Sequence, residues 1–278
     1  MPSRNEDIDT KTIADFGAQW TRFPENIGWL GSVQCLDDHF GPLMRAEEFS
    51  GKTVADIGSG SGRIVNMLLD AGAQRVVAIE PSDAFYVLER SVSERLGRVS
   101  LVHATGEAVG LQRNLDFVVS LGVLHHVVDP QPIVKAALAA LKPGGRLVVW
   151  LYGHEGNEAY LRVFGPVRAV TKRMPDWALH GLSHLLNVAL DIYIPLARFL
   201  PLPMRDYMRN HLAKVDRRMR RITIFDQLNP AYAKYYFQPE ARALLEDAGF
   251  SNVRLYHRHG YSWTVIGDKP LEAQTGPA

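Results

Sequence analysis

"VADIGSGSGRIVNMLLDAGAQRVVAIEPS", residues 54–82, is the stretch that decides the fold. An apolar run stops at Asp56, glycines stand at 58, 60 and 62, and an amphipathic pattern begins at once. A second apolar run ends in Glu80. Glycines let the backbone turn sharply and let a ligand approach with no Cβ in the way. The stretch therefore reads as strand, ligand-holding turn, helix and strand. Outward from it the rhythm continues. β-Branched runs stand at 53–57, 75–80, 99–103, 115–120 and 146–151, with helical patterns at 62–71, 83–96 and 131–141. Strands that alternate with helices imply right-handed crossovers and a parallel sheet covered on both faces. The expected class is α/β, doubly wound.

Two cofactors are held by turns of this kind. A nicotinamide dinucleotide needs G-x-G-x-x-G, the third glycine allowing close packing of helix on strand. Three residues after Gly60 stands Arg63, so the third glycine is missing and the dinucleotide reading recedes. An acid at the end of the first strand, Asp56, suits a cationic ligand, and S-adenosylmethionine carries an ammonium and a sulfonium without phosphate. Glu80 is placed to bind ribose hydroxyls for either cofactor.

Beyond the opening stretch, "LDFVVSLGVLHHVVDP" (115–130), "ALKPGGRLVVW" (140–150) and "LLEDAGF" (244–250) follow in order. Together with "VADIGSGSG" and "VVAIEPS" they resemble the class I S-adenosylmethionine-dependent methyltransferases of the small-molecule type, over about half the chain. The resemblance implies a Rossmann-like sheet of seven strands with the last antiparallel, which the runs at 252–258 and 261–267 would supply across His259 and Gly260. It also implies roles. Asp56, Gly58, Ser59, Gly60 and Gly62 would hold the methionine moiety, Glu80 the ribose, and Pro81 and Ser82 would border the adenine. Thr105 stands where the family usually places an acid against the adenine amino group. That contact would pass to its hydroxyl and to the backbone of Gly106 and Glu107. Leu121 and Gly122 would border the site of methyl transfer.

The rest of the chain frames this domain. Residues 1–50 read as an N-terminal helical cap, 51–155 with 238–270 as the cofactor-binding domain, and 156–237 as a helical lid inserted after strand five. Phe16, Trp20 and Phe23 recur at helical spacing. They either pack on the sheet or form a flap over the cofactor, with Trp20 against the substrate. His125 and His126 are candidate catalytic bases, since histidine titrates near neutral pH; the alternative is a hydrogen-bonded structural role. "FDQLNPAYAKYYF" (225–237), with Asp226, Gln227 and Asn229, offers Tyr232, Tyr235 and Tyr236 either to an acceptor pocket or to packing.

Charge and composition bound the partners. The 278 residues carry a net +1, and 46% are hydrophobic, as in an ordinary globular protein. Between Tyr160 and Ile222, however, 12 Lys and Arg stand against 4 Asp, a net +8. Such a run is a solvated face, an attractor for a phosphate- or carboxylate-bearing acceptor, or a contact for an anionic membrane surface. Nucleic acid is not expected, for want of a reader motif or aromatic platform. The apolar window 177–203 is broken by His180, His184, Asp191, Arg198 and prolines, so no stable membrane span is expected. The single cysteine, Cys35, excludes an intrachain disulfide and a cysteine zinc site. No cluster has metal-ligand spacing. The polar N-terminus lacks an apolar signal region, which points to the cytoplasm, and the tail after Pro270 reads as disordered. The expected function is methyl transfer from S-adenosylmethionine to an oxygen or nitrogen of a small or medium-sized polar metabolite or saccharide, anionic or neutral. A lipid-like or quinone-like acceptor is the next reading, and a non-catalytic S-adenosylmethionine-binding protein the reading of another class. The oligomeric state is left open.

Overall fold

Each apolar run becomes a strand. In the computed structural model these are β1 Thr53–Ile57, β2 Arg75–Ile79, β3 Val99–Val102, β4 Leu115–Leu121, β5 Leu141–Tyr152, β6 Ser251–Arg258 and β7 Ser262–Asp268. The structure describes residues 4–22, 28–171, 174–202, 205–210, 212–228 and 232–271. Phe23, Lys172, Arg173, Pro203, Asn229 and the tail from 272 lie outside them, as do the side chains of Arg168, Lys214, Asp226 and Gln227.

The strands form one seven-stranded sheet in the order β3-β2-β1-β4-β5-β7-β6. β1 to β5 pair in parallel, and β7 runs antiparallel to both its neighbours. A three-residue connection, His259–Gly260–Tyr261, joins β6 to β7, with His259 and Gly260 at φ of 51° and 73°; the sequence had allowed only the first two. Every residue of β1 and β2 after the first is buried, as a sheet covered on both faces requires.

On one face lie α2 (Val33–Phe40), α3 (Arg63–Asp70) and α4 (Phe85–Ser91), burying Leu36, Phe40, Leu68 and Leu88 completely against the sheet. On the other lie α5 (Gln131–Ala140) and α10 (Gln238–Glu246), with Val134, Ala137, Ala241 and Leu245 at 0% exposure. Each such Leu stabilises the fold by roughly 1.5–3 kcal/mol. Cys35 is buried in the first of these cores.

The N-terminal region holds more helix than its sequence suggested. α1 spans Arg4–Arg22, 19 residues, and belongs to the same compact unit as the sheet. That unit is Met1–Glu155 with Tyr232–Ala278; the second unit is Gly156–Ala231. The expected separate cap at 1–50 is thus one body with the sheet. The insertion ends before 232 rather than at 237, because main-chain bonds join Tyr236 to Tyr152 and His154 beside β5. The second unit is helical: α6 Glu158–Thr171, α7 Asp176–Phe199, α8 Arg205–Asn210 and α9 Arg217–Leu228. α7 packs on α8 and α9 and buries Leu179, Ile194 and Ala197. Among the described residues no helix is long and apolar enough to cross a membrane.

Candidate active site

The sheet order reverses between β1 and β4, and in open α/β sheets such a switch point opens a crevice beyond the strand ends. A cavity of about 250 Å³ lies there. Gly58, Ser59 and Gly60 line it from the turn after β1, and Glu80 and Pro81 from the end of β2. Thr105, Gly106 and Glu107 enter from the loop after β3, and Leu121, Gly122 and His126 from beyond β4. Trp20, with Phe16 and Ile13, lines it from α1. Twelve of the expected site residues therefore converge. Asp56, Gly62, Ser82, His125, Tyr232, Tyr235 and Tyr236 stand outside the cavity lining.

The glycine turn is closed by its own hydrogen bonds. Gly58 and Ser59 donate to the Ile79 carbonyl (2.8 and 3.0 Å), and Gly62 donates to Ser59 (2.8 Å). Gly60 N–H donates to Glu80 Oε2 at 2.8 Å. The φ angles of Gly58, Gly60 and Gly62 are 75°, 52° and 86°, which only glycine adopts readily. A pyrophosphate would need free N–H groups aimed at it, and here four are engaged within the protein. A phosphate-free cofactor fits this turn.

Two buried carboxylates flank it. Asp56 is 1% exposed, and its Oδ2 has no hydrogen-bond partner. Burial pushes its pKa up to about 7; the Ser59 hydroxyl pulls it down, Glu80 adds repulsion, and Arg63 lowers it again. Glu80 accepts at Oε1 from the Ser82 N–H and hydroxyl, and at Oε2 from Gly60. A carboxylate offers about four acceptor positions, so one on Oε2 stays open toward a ligand hydroxyl.

α1 is pinned against the mouth of the sheet. A Cβ on Gly17 would stand 2.7 Å from Ser82 Cβ, and one on Gly60 would stand 3.2 Å from the Trp20 ring. Asp9 accepts the Val128 N–H at 3.0 Å, and Phe16 lies 4.6 Å from the His126 ring. The Arg63 guanidinium sits over Trp20 at 5.7 Å. Asp9, Thr12, Ile13 and Arg63 are lining residues the sequence reading did not assign to the site. The Phe16 and Trp20 spacing was the signal available for the three on α1, and the place of Arg63 directly after Gly62 the signal for the fourth.

The two histidines part company. His126 lines the cavity and its Nδ1 meets the Tyr232 carbonyl at 2.8 Å. A carbonyl only accepts, so Nδ1 carries a proton. His125 is fully buried, its ring 3.8 Å from that of Tyr152. Burial, followed by its neighbour His126, holds its pKa well below the histidine range. Tyr236 is 3% exposed in the core, where burial raises its pKa above the usual phenol value. Tyr235 packs on Tyr152 at 5.3 Å. Among the described residues no group of three or more His, Cys, Asp or Glu is arranged to hold a metal ion.

Residues 55–149 match a family model described as a methyltransferase domain. The chain carries a class I S-adenosylmethionine-dependent methyltransferase domain. Outside the family model, the chain is 28% identical over 166 residues to a tRNA U34 carboxymethyltransferase of Idiomarina loihiensis, covering 58% of this chain and 49% of that protein. It is 29% identical over 150 residues to a ubiquinone biosynthesis O-methyltransferase of the same organism, covering 52% and 61%. Among solved structures, an O-methyltransferase family protein from Burkholderia thailandensis superposes with a TM-score of 0.52 at 13% identity, covering 86% of this chain and 57% of the other. That last likeness is one of fold. The chain spans about half the length of the curated relatives it matches. Gly156–Ala231 lies beyond the residues matched by the family model.

The residues present fit S-adenosylmethionine. The unpartnered Asp56 oxygen suits a nearby positive charge, the open position on Glu80 suits a ribose hydroxyl, and the glycine turn needs no phosphate.

Proposed function

We propose that this chain transfers the methyl group of S-adenosylmethionine to an oxygen or nitrogen of a small or medium-sized polar acceptor, a metabolite or saccharide. When bound, the cofactor supplies a methyl group activated on a sulfonium. Asp56 and the turn from Gly58 to Gly62 hold the methionine end, and the Arg63 guanidinium offers a cation for its carboxylate. Glu80 holds the ribose, while Pro81, Thr105, Gly106 and Glu107 surround the base. Trp20 and Phe16 exclude water from the cavity. Proximity and alignment of the reacting atoms supply most of the rate. An imidazole whose Nδ1 donates to the Tyr232 carbonyl can take a proton only at Nε2, so His126, in the cavity wall, is the group placed to accept a hydroxyl proton. The observation that carries this reading is that the cavity lined by the glycine turn and Glu80 also takes in His126, with Asp9, Thr12 and Thr105 among its polar groups.

The relatives that share the domain are named for a tRNA and for ubiquinone biosynthesis. In our reading acceptor choice sits in what is grafted on the fold, outside 55–149. A lipid-like or quinone-like acceptor is the second reading. The exposed apolar side chains of α7, among them Trp177 and Phe199, favour it. The test is formation of S-adenosylhomocysteine on incubation with S-adenosylmethionine and fractionated cell extracts. Product with polar fractions supports the proposal, and product with lipid extracts alone supports the second reading. Tight cofactor binding with no product in any fraction would make this a binding protein.

A further inference from the structure

α7 has two apolar faces. One, with Leu179, Ile194 and Ala197, packs inside the helical unit. The other lies opposite and is bare: Trp177 is 78% exposed, Leu185 65%, Ile192 65% and Phe199 83%, with Val188 and Leu196 between them. These positions follow helical spacing of three, four or eight along 24 residues and form a single stripe. At 1.5 Å per residue the stripe runs about 33 Å. No Asp, Glu, Lys or Arg falls on it, since Asp191 and Arg198 lie at its flank.

The unit that carries the stripe is basic. Gly156–Ala231 carries 12 Lys and Arg against 6 Asp and Glu, while the whole chain is only +1. Asp191 is neutralised locally by Arg217 at 2.8 Å and by Arg220. Arg162, Arg198, Arg209 and Arg218 are exposed. An apolar stripe on a net-basic helical unit with exposed arginines matches the interface of an anionic bilayer, where acyl chains take apolar side chains and headgroups take cations. A second copy of the chain would bring two basic units together, which like-charge repulsion opposes. The sheet unit exposes, among its described residues, only scattered large apolar side chains such as Leu111 and Leu271, with no matching stripe.

We propose that the helical unit binds the surface of an anionic lipid bilayer through the Trp177–Phe199 face of α7, lying in the interface without crossing it. This goes beyond the methyl-transfer reading and does not depend on which acceptor is used.

The test is co-sedimentation of the full chain with phosphatidylcholine vesicles, with and without phosphatidylglycerol. A Leu185→Ser/Ile192→Ser variant changes two exposed side chains and no charge; thermal melts check that it stays folded, and calorimetry with S-adenosylhomocysteine reads its cofactor site. The expected result is sedimentation with the anionic vesicles alone, weakened by high salt, and reduced at least about tenfold in the variant. No sedimentation with anionic vesicles would overturn the proposal, as would equal sedimentation of the variant. A dimer of the parent that the variant dissociates would assign the face to a second copy instead. Loss of S-adenosylhomocysteine binding in the variant would assign it to the chain's own active site.

Discussion

The backbone N–H of Gly60 donates to Glu80 Oε2 at 2.8 Å, tying the turn after β1 to the end of β2. The acid proposed to hold the ribose is therefore also the acid that shapes the glycine turn. Glu80→Ala should lose charge-assisted cofactor contacts worth about 1.5–3 kcal/mol each. It should also lower the melting temperature, because the N–H groups of Gly60 and Ser82 lose their acceptor. Calorimetry with S-adenosylhomocysteine beside thermal melts separates the two effects. Unchanged affinity would remove Glu80 from the cofactor site.

Asp56 makes cofactor binding depend on pH. In the free protein its carboxyl holds a proton up to about pH 7, chiefly through burial. A bound ammonium favours the ionised form, so binding below that pH releases a proton. Affinity for S-adenosylhomocysteine should rise by up to about tenfold per pH unit toward pH 7 and level off above it. The stability of the free protein moves the other way. A carboxyl whose folded pKa is raised contributes fully below its unfolded pKa near 3.9 and loses that contribution as pH climbs through the folded value. Asp56→Asn should therefore flatten the pH profile of binding, and its melting advantage over the parent should be larger at about pH 8 than at about pH 5.

α1 approaches the end of β2 through the smallness of Gly17. In a helix interior, alanine is better than glycine by about 1 kcal/mol, so Gly17→Ala should favour α1 in isolation. Its Cβ would meet Ser82 Cβ at 2.7 Å. The helix must then lift from the end of β2, and cofactor affinity should fall roughly tenfold, about 1.4 kcal/mol, despite the better helix former. An unchanged dissociation constant would mean that α1 packs without closing the site.

These side chains differ in how far the sequence betrayed them. The strands at 53–57, 75–79 and 115–121 were legible because two-sided burial writes itself as unbroken β-branched runs. The hairpin at His259 and Gly260 was legible because few residues tolerate its φ angles. The length and docking of α1 were not. Asp9 meets Val128 across 119 positions, and nothing local marks that pairing. The placement of 232–237 in the sheet unit rests on main-chain bonds such as Lys234 N–H to His125 carbonyl at 2.8 Å, which leave no mark in side-chain chemistry. For Tyr236 the sequence left pocket and packing open, because a phenol serves either; at 3% exposure it is a core residue.

The histidines separate a chemical role from a structural one. His126→Asn keeps a donor for the Tyr232 carbonyl but removes the basic nitrogen. If His126 takes the acceptor's proton, kcat should fall by about 10²–10⁴ with cofactor affinity unchanged. His125→Asn should instead lower the melting temperature, since it places an amide in the ring stack with Tyr152 and Trp150. A His126→Asn enzyme of normal kcat would leave catalysis to proximity alone.

The central claim is that the turn from Gly58 to Gly62, with Asp56 and Glu80, is built for S-adenosylmethionine and not for a dinucleotide. The most direct measurement is calorimetric titration of the full chain with S-adenosylhomocysteine and, separately, with NAD. The account predicts saturable one-to-one binding of S-adenosylhomocysteine, lost in Glu80→Ala, and no heat with NAD. Binding of NAD with no response to S-adenosylhomocysteine would contradict it.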